Sequence, residues 1–508
     1  MLCCALAAGR NKIIIVGMSG LRHDYVDQPN LPTFRKFILE GVRAKQLDIP
    51  FVTNSAPSLA TIVTGLWPEE HGVIDDSMTD PNMIGSYKFG LNKLTSDWLP
   101  VKPIWITAEE AGIKTAVSGW LGSDIKFGSV NASLFHKFVP RESEEDSKAR
   151  IAEFTSWMYG KADLGLILLP QPDNSGHEHG AESDEVKSAM VRNDGLLKYL
   201  LDNLQALDGL DQRTNIIILG DHGMADHSSN HVVYLSDLGI TLGDLKWVTG
   251  NMFTTGMMIP HNGLVNSVYQ KLTSPKGKIH LTSYLKKDIP EKFHLKYHRR
   301  TPPILVIPEV GYRVEITRPH SDIRFPTRQL GMHGYDNSVA DMKPAMLALG
   351  PDFKKQKSMN TFHANEIYPL VCSMLQLKNC HGSDGTMDNP QEIVTVTLKD
   401  QRKAKKNYRY LNTGPVNKYR SSNFGSSGAM SSLTKKSARF IESNKMPRYS
   451  RSIQYFYLPP TRWKSFVRCA HVYVGYFDFL RSAVVVDISA NIRDNVEKMC
   501  KLYTETLI

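Results

Sequence analysis

The chain lacks any run approaching 18 apolar residues, and its late apolar stretch Ala483–Ile488 is far too short to cross a bilayer, so no membrane span is expected. Cysteine is scarce: Cys3, Cys4, Cys372, Cys380, Cys469 and Cys500 are the six in 508 residues, and none forms a Cys-x-x-Cys pair. That spacing excludes a zinc finger or ribbon. It leaves a Cys372–Cys380 disulfide conceivable, since connectivity cannot be deduced from sequence. No helix-turn-helix or finger spacing supports nucleic-acid binding. Acidic residues are nearly missing from Lys399–Arg451, which holds fourteen basic residues and two acidic ones. The net charge of +10 is therefore a property of that stretch, and the remainder carries about −2. Its serines and glycines, with few branched apolar residues, read as a disordered linker rather than a nucleic-acid surface. The opening Met1–Ala8 is apolar but lacks a basic n-region, so residues 1–11 are expected to be a truncated signal or a disordered start. With the sequon Asn131-Ala132-Ser133, this points to a secreted or extracellular glycoprotein.

What is present is ordinary globular material, 41% hydrophobic and 22% charged, long enough for one large domain and a smaller one. The expected division is a domain over 12–398, the basic linker over 399–451 and a small unit over 452–508. Three short apolar runs, Lys12–Met18, Leu164–Leu169 and the one inside Asn215–Met224, read as strands buried on both faces. Pro344–Leu349 is a further apolar run. Helices are expected over Pro32–Glu40, Pro57–Thr64, Pro103–Ala111, Ser143–Tyr159, Glu182–Leu204 and Glu366–Leu377. Proline near the start and glycine just past the end punctuate several of them. Asp237–Pro326 reads as mixed short strands and loops. Such alternation predicts an α/β fold with a mainly parallel sheet covered by helices on both faces.

Chemistry gathers where those strands end. The run Asn215–Leu219 leads through Gly220 to Asp221 and His222, and in open α/β sheets ligands sit outside the carboxyl ends of the strands. After Leu164–Leu169 comes Asp173-Asn174-Ser175-Gly176-His177, a D-x-x-x-H spacing that shares a face if the turn is helical. A glycine-flanked histidine, His333, follows in Gly331–Asn337. Two carboxylates and three imidazoles on glycine-rich loops are the donor set of a two-cation hydrolase centre. His71 and His23 are expected to be ordinary core or surface histidines.

At this point the chain resembles the nucleotide pyrophosphatase/phosphodiesterase family (type I phosphodiesterases) of the alkaline phosphatase superfamily. The likeness runs over Lys12–Lys378. It rests on Thr64-Gly65-Leu66-Trp67-Pro68 with His71-Gly72-Val73, on Lys102-Pro103-Ile104-Trp105, and on the Asp173 and His177 loop. Asp221-His222-Gly223-Met224, Gly331–Asn337 and Tyr284–Pro290 complete it. The resemblance implies an alkaline phosphatase-like fold and a zinc-dependent hydrolase of phosphodiester or pyrophosphate bonds. It also implies two zinc sites and a phosphorylated small molecule as substrate, either a nucleotide or a choline-headgroup ester. It assigns Asp173, His177 and His333 to one zinc, and Asp221 and His222 to the second.

Four positions depart from the family pattern. Ser19 stands where the second zinc should receive a carboxylate. Ser55, in Ser55-Ala56-Pro57-Ser58, replaces the threonine nucleophile, and Ala56 replaces the stacking phenylalanine. Asp76 replaces the phosphate-binding asparagine twenty-one residues after the nucleophile. Ser55 just before Pro57, at a helix start, remains a competent nucleophile. Ser19 weakens the second cation, and Asp76 aims negative charge at a phosphoryl oxygen. The expectation is a hydrolase of weakened activity. Its alternative is an inactive member that serves as a metal- and ligand-binding module. Asp76 is also expected to be able to turn inward as a substitute ligand for the second cation.

Overall fold

A computed structural model describes residues 11–399, apart from 229, 251 and 319–329. The expected start before residue 11, the linker beyond 399 and the unit over 452–508 lie outside the described residues.

Eight strands form the central sheet: β1 (Lys12–Met18), β2 (Val42–Asp48), β3 (Thr115–Ser118), β4 (Leu134–His136), β5 (Leu164–Leu169), β6 (Thr214–Gly220), β7 (Met346–Leu349) and β8 (Lys357–His363). Their order is β8-β2-β7-β6-β1-β5-β3-β4, and only β7 runs antiparallel to its neighbours. This is the mainly parallel sheet expected from the alternation of strands and helices. Every residue of β5 and β6 is buried, which explains their near-continuous apolar sequences.

Seven helices cover the sheet or carry the site: α1 (Pro32–Glu40), α2 (Ser55–Thr64), α3 (Ile104–Glu110), α4 (Glu144–Met158), α5 (Asp173–His179), α6 (Asp184–Ala206) and α7 (Ile367–Met374). The period of two along β1 divides the core. Ile13 and Ile15 pack with Leu59 and Ile62 of α2, Trp105 of α3 and Leu370 of α7. Ile14 and Val16 pack with Phe34 of α1, Phe154 of α4 and Leu197 and Leu200 of α6. Each such buried side chain contributes about 1.5–3 kcal/mol. Caps set two helix starts: Ser143 accepts from the Asp146 N–H and Ser183 from the Val186 N–H. Helix α2 begins at Ser55, two residues before its expected start.

The region 237–318 carries a four-stranded antiparallel sheet in the order Leu245–Val248, Gly256–Pro260, Ile304–Pro308, Leu281–Leu285, with its own small core around Met258, Ile304 and Val306. The Cys372–Cys380 disulfide is formed. Closing so short a loop contributes about 2–3 kcal/mol. Strands β2 and β8 are not apparent in the sequence. Val42, Ala44 and Leu47 of β2 are buried, but Arg43, Lys45, Gln46 and Asp48 break any apolar run. Among the described residues no helix is long and apolar enough to cross a membrane.

Candidate metal centre

Strand register builds the site. Met18 pairs with Leu169 on one side and with Gly220 on the other, so β1, β5 and β6 end level. The residues that follow, Ser19, the Asp173 turn and Asp221-His222, therefore emerge at one rim. Ser19 N–H donates to the Leu169 carbonyl at 2.9 Å and Asp173 N–H to the Ser19 carbonyl at 3.0 Å. Gly20 sits between them at φ +72°, and a Cβ there would lie 2.8 Å from Asp173 Cα. Only glycine permits both that backbone and that approach. The D-x-x-x-H segment is helical, so Asp173 and His177 share a face of α5.

The loop bearing His333 is held from below. Gly334 N–H donates to Thr53 Oγ1 at 3.0 Å, and Thr53 Oγ1 donates to the Tyr335 carbonyl at 2.9 Å. Thr254 Oγ1 also donates to the His333 carbonyl.

All three imidazoles are oriented in the same way. His177 Nδ1 meets the Gly331 carbonyl at 2.9 Å, and His222 Nδ1 the Gly223 carbonyl at 2.8 Å. His333 Nδ1 meets the Thr53 carbonyl at 3.1 Å and Asn54 Oδ1 at 3.0 Å. Carbonyl oxygens only accept, so Nδ1 carries the proton in each ring and a neutral ring presents a bare Nε2 inward. Those lone pairs converge on Asp173 Oδ1, at 3.3 Å from His177, 3.7 Å from His333 and 3.8 Å from His222. Asp173 Oδ1 is buried and has no hydrogen-bond partner. An electron-rich oxygen facing electron-rich nitrogens, with no proton between, is the electrostatic pattern that a cation relieves. Burial, then the neighbouring His222 and His177, hold the His333 pKa well below the usual range, so that ring is neutral. Burial lowers His222 too, but the carboxylates of Asp221 and Asp173 outweigh it and raise its pKa.

The other flank is arranged differently. Asp221 Oδ1 accepts from the Gly20 N–H and the His222 N–H, each at 3.0 Å, and Asp221 Oδ2 accepts from Ser19 Oγ at 3.0 Å. Ser55, the first residue of α2, lies 3.1 Å from His222 Nε2, and its hydroxyl is the donor when that ring is neutral. Asp76 Oδ1 accepts from the Ala56 N–H at 2.7 Å. Pro57 has no N–H and Ser58 N–H is given to the Asn54 carbonyl. Asp76 therefore takes one of the two free donors at the start of α2, where an anion would otherwise bind. Burial pushes its carboxyl up to about 7, opposed by the Ala56 N–H and His222.

Two residues that sequence reasoning missed support this floor. Asn54 directs Oδ1 to His333 and Nδ2 to Asp75 Oδ1, the latter at 2.7 Å. Asp75 is fully buried, and burial followed by the Asp76 charge raises its carboxyl to about 8. Their adjacency to Ser55 and Asp76 was the only sequence signal. His71 is a core histidine as expected, bonded to Thr61 Oγ1 at 3.0 Å and to the Val73 N–H at 3.1 Å.

Residues 13–336 match the family model described as type I phosphodiesterase / nucleotide pyrophosphatase. The chain belongs to this family. Human ectonucleotide pyrophosphatase/phosphodiesterase family member 5 is 30% identical over 404 residues, covering 78% of this chain and 80% of the relative. Mouse bis(5'-adenosyl)-triphosphatase enpp4 is 30% identical over 388 residues, covering 75% of this chain and 81% of the relative. Among solved structures, murine ectonucleotide pyrophosphatase/phosphodiesterase 5 superposes with a TM-score of 0.69 at 29% identity, covering 76% of this chain and all of that one. An inactive form of the same murine protein, in complex with AMP, superposes equally well. The fold is thus alkaline phosphatase-like, as the resemblance implied. A metal-dependent family also accords with the Asp173, His222 and His333 group, whose donor atoms lie within 4.8 Å of one another.

Proposed function

We propose that this phosphodiesterase-family chain is a secreted, zinc-dependent hydrolase of phosphodiester or pyrophosphate bonds in nucleotides, with Ser55 as nucleophile and a weakened rate. The observation that carries the reading is Asp173 Oδ1, buried without a partner beneath three imidazoles locked to face it. Asp173, His177 and His333 fit a cation by donor chemistry, and their backbone carbonyl partners are the outer support that such ligands require. A cation bound there supplies positive charge to the phosphoryl oxygens.

Ser55 Oγ, at the start of α2, forms the bond to phosphorus while the leaving oxygen departs. Its proton passes to His222 Nε2, 3.1 Å away, and is returned to the leaving oxygen. Water then releases the phosphoryl product and restores the serine. A nucleotide is favoured over a choline ester because a related structure holds AMP and related proteins are named for adenosine phosphates. The disulfide Cys372–Cys380 supports an oxidising, extracellular setting, in which Asn131 is a glycan acceptor.

The weak rate follows from Asp76. Its carboxylate occupies the Ala56 N–H and opposes an incoming phosphate, where one lost stabilising donor already costs about 10²–10³ in rate. The same contact favours a second reading, a family member that binds nucleotides without turning them over.

Hydrolysis of the p-nitrophenyl ester of thymidine monophosphate decides between them. We expect slow turnover that disappears on chelation, returns with zinc and is absent in Ser55→Ala. Stoichiometric AMP binding with no turnover at any zinc concentration would establish the second reading instead.

A further inference from the structure

Resting on that reading of the site, we infer that Asp76 sets the charge accepted at phosphorus: it admits a singly charged internal phosphate and turns away a doubly charged terminal one. An internal phosphorus, in a diester or within a pyrophosphate, carries one negative charge. A terminal phosphate carries about 1.5 to 2 near pH 7. A fixed carboxylate beside the phosphorus repels the second kind more strongly than the first.

The fold places such a carboxylate. Asp76 Oδ1 accepts from the Ala56 N–H at 2.7 Å, so it lies at the same helix start as Ser55, the residue before Ala56. There it takes the position that an oxygen of a terminal phosphate would occupy. The backbone of Asp76 is held from two sides. Its N–H donates to Asp75 Oδ1 at 2.7 Å, and its carbonyl accepts from the Phe89 N–H at 2.7 Å. Asp75 Oδ1 also accepts from Asn54 Nδ2, which ties the turn to the residue before Ser55. The Asp76 carboxyl feels the charges of His222, Asp221 and Asp173, so it stands within the field of the centre and adds a third carboxylate to it. Arg22, four residues past the end of β1, does not offset that charge for a phosphate. Its guanidinium is given to Asp24, Glu182 and the Met224 carbonyl, so it is not free to fork onto phosphoryl oxygens.

Calorimetric binding of AMP and of its methyl ester tests this. The two ligands differ by one methyl group and one negative charge. At about pH 8.5 AMP is doubly charged, and Asp76, its carboxyl pushed up to about 7 by burial, is ionised. Wild type and Asp76→Asn are matched for zinc content before titration. The Asn keeps an oxygen for the Ala56 N–H and removes the charge. We expect the wild type to bind the ester more tightly, and Asp76→Asn to improve AMP about tenfold more than it improves the ester. Tighter binding of AMP by the wild type, or a gain in Asp76→Asn that is equal for the two ligands or absent, would overturn the inference and leave the hydrolase reading intact. The charge-dependent gain without any hydrolysis of the nitrophenyl ester would do the reverse. Failure of both ligands to bind either protein would end both. Asp76→Ser, which also keeps an acceptor oxygen without the charge, decides the matter if Asp76→Asn does not fold.

Discussion

The two flanks of the centre differ in what the fold leaves unfinished. On the flank of Asp173, His177 and His333, each ring has its outer nitrogen tied to a carbonyl and its inner nitrogen bare, and the carboxylate between them has an oxygen with no partner. On the flank of Ser19, Asp221 and Asp76, protein donors already satisfy the acceptors: Asp221 accepts three hydrogen bonds and Asp76 caps a helix. The difference teaches that residue type alone does not make a ligand. A buried polar atom costs free energy until it is paired. Where the chain itself supplies the partner, that part of the cost is already met.

The comparison breaks first at Asp173. Replacing it with Asn removes the one unpaired charge facing three imidazoles, and zinc retention and hydrolysis of the nitrophenyl ester should both fall below detection. Retained zinc with full turnover would mean that the cation is held elsewhere. The next largest effect runs in the opposite direction, on the other flank. Asp76→Asn keeps an oxygen for the Ala56 N–H but removes the negative charge facing the phosphate, so turnover should rise by about 10- to 100-fold. A steady-state assay showing no gain would mean that Asp76 does not face the substrate.

A smaller effect is expected at the floor. Asn54→Ala takes away one of the two acceptors of His333 Nδ1, and zinc affinity, titrated against a chromophoric chelator, should weaken by about tenfold. Unchanged affinity would make the Thr53 carbonyl sufficient alone.

The smallest effect is one of pH. Burial, then the Asp76 charge, lift the Asp75 carboxyl to about 8 from its ordinary 3.8. The folded state therefore holds that proton more tightly than the unfolded chain does. Its stabilising contribution is complete below about pH 4 and is lost as pH rises through about 8. Melting temperature should decline across that window in the wild type and decline less in Asp75→Asn. Equal slopes in scanning fluorimetry would remove Asp75 as the cause.

Much of this was legible in the sequence. Apolar runs such as Leu164–Leu169 and Ile216–Leu219 declare themselves because an interior parallel strand is buried on both faces. Glycines and paired Asp and His residues mark the loops at their ends. Strand β2 was not legible, since Val42-Arg43-Ala44-Lys45 is only half buried and mixes apolar with charged residues. Nor were Asn54, which meets a histidine 279 residues away, and Asp75, which meets Asn54.

By itself the sequence determined the strand cores, the family and the kinds of donor available at the rim. Local burial pattern and side-chain chemistry are properties of short stretches, so they can be read there. Only the tertiary structure decided which imidazole nitrogen faces inward, that Ser19 donates to Asp221, and that Asp76 accepts from the Ala56 N–H at the start of α2. Those outcomes are set by hydrogen bonds between distant segments, most of them to backbone carbonyls and amides. Every residue but proline carries the same backbone groups, so no side-chain pattern announces which of them will be used.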